Sequence, residues 1–374
     1  MQIEEKIRKV LFFALEAAGM ILLYVVLNST GIYKYIVLSV VCLFILVINY
    51  RKVDYVLLYW YLMIPILLYC GMGGILSVCG GTMTIWTVKT IGFWLLPPIF
   101  SFLLCTIYED NQKHMIDVQF YGCCLAYVLP IIEWFLFGGG MSESAFAFPL
   151  GLFILYYAWQ HRWMNMIISA FLMYFADKRI ATLAVMVCIF LMIFMKLAKY
   201  SKNWIKALWG MVMAAGCLYI YSICSGLFEW LCVRLGIDTS HRLDVYPQVA
   251  AQIPDNYFWG KGLGTVNEML PQILEPGLID WFENPHNDLL KIFVELGGIG
   301  LVIFLLSYLA VFKIAEKKIT QRALSQLFVI FVYFVLLMTT DNVSIYILFL
   351  VPMHSICLAL ASEKKENEHE NHAK

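Results

Sequence analysis

The chain has 374 residues, of which 62% are hydrophobic and only 14% charged, with 26 basic side chains against 26 acidic ones, and its mean hydropathy is +0.78. Too few charges are present to cover a globular surface, so an ordinary soluble protein is excluded and a bilayer is the expected solvent. A formal net charge of zero also leaves no basic footprint for nucleic acid.

Apolar runs long enough to cross about 30 Å of hydrocarbon occur about twelve times, near residues 9–28, 32–50, 54–71, 86–108, 116–138, 145–160, 163–177, 180–198, 204–226, 287–312, 323–339 and 342–361. The expected fold is all-α and integral to the membrane: one polytopic domain over residues 1–374 with about twelve transmembrane helices. Its one large extracytoplasmic loop, residues 227–286, separates spans nine and ten and is expected to contain short helices. Alternating spans gather Lys6, Arg8, Lys9, Arg51, Lys52, Lys113, Arg162, the lysines of 196–206, the basic residues of 313–322 and the tail lysines on one side. Positively charged short loops stay in the cytoplasm, so both termini are expected there, in a bacterial plasma membrane, with the loop outside. The first run lacks a small-residue cleavage site and reads as a retained span, not a signal peptide. Trp60, Trp134, Trp159 and Trp163 suit the interfacial belts. Nine of the eleven cysteines lie inside apolar runs, where a thiol acts as a small hydrophobe. Neither a disulfide framework nor zinc-ligand spacing is expected, and no metal or cofactor is called for.

Within the spans, Glu16 and Glu133 are costly unless paired or facing a polar cavity, with Lys89 one potential partner. Asp177-Lys178-Arg179 interrupts an apolar stretch on the same side as the loop. It reads either as a solvated hairpin tip or as a cationic contact for an anionic lipid. In the loop, Arg242 precedes Leu243, Tyr246, Val249, Ala250 and Ile253, a spacing that fits a short amphipathic helix on the membrane surface with Pro247 in its first turn. A guanidinium there either snorkels or holds phosphate oxygens through two parallel hydrogen bonds. Gly260, Gly262 and Gly264 form a tight turn without the strand a dinucleotide fingerprint needs. Tyr257, Trp259 and Trp281 are candidates for sugar stacking. Asn284-Pro285-His286-Asn287-Asp288 then starts a helix at the membrane surface. His286 at its mouth is a cap or surface residue on one reading, and on the other a neutral imidazole able to take a proton from a sugar hydroxyl. Glu295 and the glycines Gly297, Gly298 and Gly300 lie further along, where small residues permit close helix approach.

Taken in order, Gly260-Lys-Gly-Leu-Gly264, His286-Asn287-Asp288-Leu-Leu290 and Glu295-Leu-Gly297-Gly-Ile-Gly300 resemble the bacterial O-antigen ligase and O-antigen polymerase family, with its glycine turn, HN-x-x-L and E-x-G-x-x-G. Arg242 with Tyr246 is similar to that family's loop arginine and following aromatic, and Lys178-Arg179 to its Ser-Arg pair. Lysine stands here where serine is usual and tyrosine where tryptophan is. The resemblance implies an integral-membrane glycosyltransferase without a cofactor. It would transfer an oligosaccharide from undecaprenyl diphosphate to an acceptor hydroxyl with inversion, as a polymerase of repeat units or as a ligase. By the same resemblance His286 and Arg242 carry the catalysis, and Arg179, Arg242 and Lys178 hold the diphosphate. Asn287, Tyr246, Gly262, Gly264 and Glu295 support them. The implied partners are the lipid-linked donor, a glycan acceptor, the bilayer, and flippase and chain-length regulator proteins. A competing class is a transporter of the same lipid-linked sugar, for which the polar groups would be expected near the bilayer midplane.

Overall fold

The structure, a computed structural model, describes residues 16, 18–26, 33–49, 59–108, 111–137, 144–237, 239–253, 257–274 and 284–363. The described elements are helical. In chain order they are α1 (Tyr33–Ile48), α2 (Ile64–Cys79), α3 (Ile85–Ile107), α4 (Gln112–Phe137), α5 (Ala147–Trp159), α6 (Trp163–Phe175) and α7 (Arg179–Leu197). There follow α8 (Lys202–Cys224), α9 (Leu227–Leu235), α10 (Arg242–Ala250), α11 (Thr265–Ile273), α12 (Asp288–Lys318), α13 (Gln321–Met338) and α14 (Ile347–Ala361).

Seven of the described helices are long and apolar enough to cross a membrane, and four more are apolar but shorter. The chain is thus a membrane protein. A 13-residue helix such as α5 is about 20 Å long at 1.5 Å per residue, less than the hydrocarbon thickness, and α5 is almost wholly buried by its neighbours. α13 and α14 are buried on nearly every face and form the centre of the bundle. α12 packs on α2, α14 on α3, and α13 on α7. Outward faces carry exposed Phe44, Phe135, Phe171 and Phe190, as expected of a surface solvated by hydrocarbon rather than water.

Local sequence explains several boundaries. Thr84 and Thr87 bond reciprocally to each other's backbone region to start α3, a capping box. Thr320 accepts from the Ala323 N–H at 3.1 Å to start α13. The third run differs from expectation in its described part: a 3-10 turn at Trp60–Met63 precedes α2, which continues past 71 to Cys79. Pro65 falls in the first turn of α2, where its missing N–H costs nothing, and the later glycines do not stop the helix. Most of the first run, Arg51 and Lys52, Trp281 and both termini lie outside the described residues.

The polar interval holds α9, α10 and α11. α10 differs from the expected surface helix. It begins at Arg242, so Pro247 falls in its second turn, and it buries Val245, Tyr246, Val249 and Ala250 against α8 and α12 rather than lipid.

Candidate active site

α12 begins at Asn287, whose Oδ1 accepts from the Leu290 N–H at 2.9 Å. An asparagine cap of this kind satisfies one of the donors left open at a helix start. His286, the residue before the cap, is held at φ 49°, a left-handed conformation uncommon for a side chain of this size. The Tyr246 hydroxyl donates to the His286 carbonyl at 2.8 Å. Asn287 Nδ2 donates to the Tyr219 hydroxyl at 3.1 Å, and that hydroxyl donates to the Thr339 carbonyl at 2.6 Å. α8, α10, α12 and the end of α13 thereby fix the backbone that carries the imidazole, whose side chain remains 28% exposed and so open to a substrate.

The imidazole faces a buried carboxylate. His286 Nδ1 lies 3.5 Å from Asp341 Oδ1, and Lys178 Nζ donates to Asp341 Oδ2 at 3.0 Å. The Asn342 N–H at 2.8 Å and the Tyr346 hydroxyl at 3.2 Å also donate to Asp341 Oδ1. Burial pushes the Asp341 carboxyl up, but His286 and Lys178 together outweigh it and hold the group well below the usual carboxylate range. Next to it, Asp288 accepts from the Ser344 N–H at 2.8 Å and the Ser344 hydroxyl at 2.7 Å. These bonds bind the α13–α14 turn to the start of α12.

Arg242 opens α10 half-buried. Its Nη1 donates to the Thr239 carbonyl at 3.0 Å, while its Nε is buried with no hydrogen-bond partner. Burial drives the Tyr246 hydroxyl well above its ordinary pKa, the neighbouring Tyr219 adds to this, and the Arg242 charge opposes it. Arg242 lies one helical turn before the tyrosine that holds His286, on the same side of α10. Lys178 and Arg179 separate: Lys178 is 9% exposed and spends its charge on Asp341, whereas Arg179, the first residue of α7, is exposed.

The glycine turn serves the fold at a distance from the imidazole. Residues 257–264 pass across a break in α12, where Gly297 adopts φ 78° and ψ 178°. The Lys261 and Gly262 N–H groups donate to the Val294 and Glu295 carbonyls at 3.0 and 2.9 Å, and the Gly298 N–H donates to Tyr257 at 2.8 Å. A Cβ on Gly297 would sit 2.2 Å from the Phe258 carbonyl oxygen. Glu295, fully buried, accepts from the Gly264 N–H at 2.9 Å at the start of α11 and from the Tyr69 hydroxyl of α2. Gly264 itself has φ 79° and lies against the α3 backbone at Trp86 and Thr87. The expected close approach is present, and with it a break in α12 clasped by a strap, because the glycines supply conformations and clearances no other residue permits.

Asp341 and Tyr219 escape the sequence reading. The signal available for Asp341 was the polar run Thr339-Thr340-Asp341-Asn342 between the last two apolar runs, on the side to which alternation assigns His286. Among the described residues no group of three or more His, Cys, Asp or Glu side chains is placed to hold a metal ion. Glu16 is engaged by the Tyr108 hydroxyl at 2.5 Å and by His114 Nε2 at 2.8 Å, Glu133 is exposed, and Lys89 lies 4.1 Å over the Trp86 ring.

Residues 164–305 match the family Wzy_C, described as O-antigen ligase. The matched segment contains Lys178, Arg179, Arg242, His286 and Glu295. No curated protein and no solved structure matches the chain.

Proposed function

We propose that this chain, whose residues 164–305 match the O-antigen ligase family, polymerises undecaprenyl-diphosphate-linked oligosaccharide repeat units into a surface polysaccharide. The observation that carries this reading is the buried Asp341 carboxylate facing His286, with Arg242 one helical turn before Tyr246, whose hydroxyl holds the His286 carbonyl. The leaving lipid diphosphate needs its charge neutralised, and the incoming sugar hydroxyl needs its proton removed. With Nδ1 turned to Asp341, Nε2 of His286 is the lone pair offered to the acceptor hydroxyl. Asp341 stabilises the imidazolium that forms, as a carboxylate partner does in other histidine bases. The 3.5 Å separation is long for a hydrogen bond, as is common before substrate binds. Arg242, with an unengaged Nε, takes the phosphate oxygens, and Arg179 adds an exposed second cation. The acceptor oxygen attacks the anomeric carbon from the face opposite the diphosphate, which departs with the bonding pair, so configuration inverts.

A cavity of about 850 Å³ between α8 and α12, at the break in α12 around Gly298, is lined by Ile220, Phe293, Ile299, Leu301 and Val302. Such an apolar cleft suits an isoprenoid tail. The excess of lysine and arginine at the opposite end of the bundle supports placing that end in the cytoplasm and the site outside.

A ligase acting on a different acceptor would use the same residues, and the family description favours keeping that reading. Transport would call for polar groups at the midplane; of the carboxylates in the spans, half-buried Glu16 is satisfied by Tyr108 and His114 and buried Glu295 by Tyr69 and the Gly264 N–H. The deciding experiment supplies purified protein with lipid-linked repeat units and a chelator. A ladder of lengthened lipid-linked glycan is expected. Transfer only to an added foreign acceptor would establish the ligase, and movement across vesicles without lengthening would overturn both.

A further inference from the structure

A second cavity, of about 500 Å³, opens at the end of the bundle opposite His286, between α6 and α7, with the α5–α6 turn and the start of α13 at its mouth. Its apolar floor comes from Ile189, Met192 and Ile193. Lys196 continues the same face of α7, because residues three and four apart share one side of a helix. Arg322 completes the mouth. It is fixed from behind, since Nη2 donates to the Trp159 carbonyl at 3.0 Å and the guanidinium lies 4.8 Å over the Trp159 ring. Its other donors are left for a ligand.

Three of the neighbouring cations at this end are already committed. Arg162 holds Asp117 through contacts of 2.5 and 2.7 Å, and Lys202 and Lys206 share Glu316 at 2.9 and 3.2 Å. Among the described residues no carboxylate stands within ion-pair distance of Lys196 or Arg322; Glu363 feels Arg322 from further away. Two uncommitted cations above an apolar furrow in a bilayer call for an amphiphile with an anionic head. Basic pockets between helices at the membrane face serve this purpose in general.

We propose that this cavity binds an anionic phospholipid. Lys196 and Arg322 contact its phosphodiester, and one acyl chain lies along Ile189, Met192 and Ile193. Free phosphate shares the headgroup chemistry but has no use for the furrow, so the lipid is the occupant. The site is independent of the transfer chemistry at His286.

The test is native mass spectrometry of the full chain taken from vesicles of equal parts phosphatidylglycerol and phosphatidylcholine. Retained phosphatidylglycerol should exceed phosphatidylcholine. The preference should fall about tenfold or more in the Lys196→Gln, Arg322→Gln double variant, in line with the contribution of two basic residues near a membrane surface. Lys196→Gln alone, an exposed position, gives a partial loss that does not depend on the Trp159 contact. Ile193→Trp, which fills the furrow and leaves both charges, should reduce retention of the lipid. Equal retention of both lipids by the natural chain overturns the proposal. So does an equal loss in Lys202→Gln, Lys206→Gln, or displacement of the lipid by millimolar inorganic phosphate.

Discussion

His286 Nδ1 lies 3.5 Å from Asp341 Oδ1, and the second oxygen of the same carboxylate is taken by Lys178 at 3.0 Å. Replacing Asp341 by asparagine therefore removes the anion from two groups at once. Lys178 is left buried beside a neutral amide, and breaking a buried pair by deleting one partner costs about 3–5 kcal/mol. The melting temperature of Asp341→Asn should drop accordingly, and glycan transfer should fall by about two orders of magnitude or more, the usual contribution of a positioned base. Adding Lys178→Met should restore most of the melting temperature but not the transfer rate. If the double variant regains normal transfer, Asp341 serves only to neutralise Lys178.

The same carboxylate sets a pH expectation. Its pKa is held below the ordinary range by His286 and Lys178, against the pull of burial. A depressed folded value means that the stabilisation is fully present above the unfolded pKa of about 3.9 and is lost only as pH falls through the lower folded value. The gap in melting temperature between the natural chain and Asp341→Asn should thus be constant from about pH 5 to 8 and shrink below about pH 4. A gap that closes between pH 6 and 7 would mean the carboxylate titrates there and is not held low by its partners.

Arg242 offers a buried Nε without a partner, with Nη1 tied to Thr239. Lysine in its place keeps the charge but loses the planar fork that matches two phosphate oxygens. Arg242→Lys should raise KM for the lipid-linked donor and lower kcat/KM by about tenfold or more, the scale of one charge-assisted hydrogen bond. Arg242→Ala should abolish the ladder with the protein still in the membrane. Normal kinetics in Arg242→Lys would move the diphosphate to Arg179.

Most of the membrane architecture was legible in the residues. α3, α7 and α12 start within a residue or so of the expected runs, because hydrocarbon demands a continuous apolar stretch and charged turns interrupt it visibly. α2 was misplaced because the expected run passed through Pro65, which starts the helix, and stopped before Gly73, which packs against the strap at Leu263. His286 and Arg242 were legible as costly residues in a polar interval. Asp341 was not, since its contact with Lys178 spans 163 positions and no local pattern encodes a pairing across the bundle. The glycines were found, yet their purpose was hidden. Gly260, Gly262 and Gly264 are small to clear α12, α2 and α3, and Gly297 to clear the strap at Phe258, partners that are all remote in sequence.

Glu295 and Gly297 test whether the family motif around them is structural here. Glu295 ties α12 to the start of α11 through Gly264 and to α2 through Tyr69, far from any contact with the imidazole. Glutamine keeps the shape but turns one acceptor into a donor, leaving a buried group unsatisfied at a cost of about 1–3 kcal/mol. Gly297→Ala forces a side chain into a left-handed backbone, worth about 1–3 kcal/mol before any clash, and presses its Cβ on the Phe258 carbonyl. Both variants should lower the melting temperature and the yield of folded protein, while the folded fraction keeps its kcat. His286→Ala should do the reverse, losing transfer at a nearly unchanged melting temperature. Loss of kcat in well-folded Glu295→Gln would place that carboxylate in the chemistry instead of the clasp.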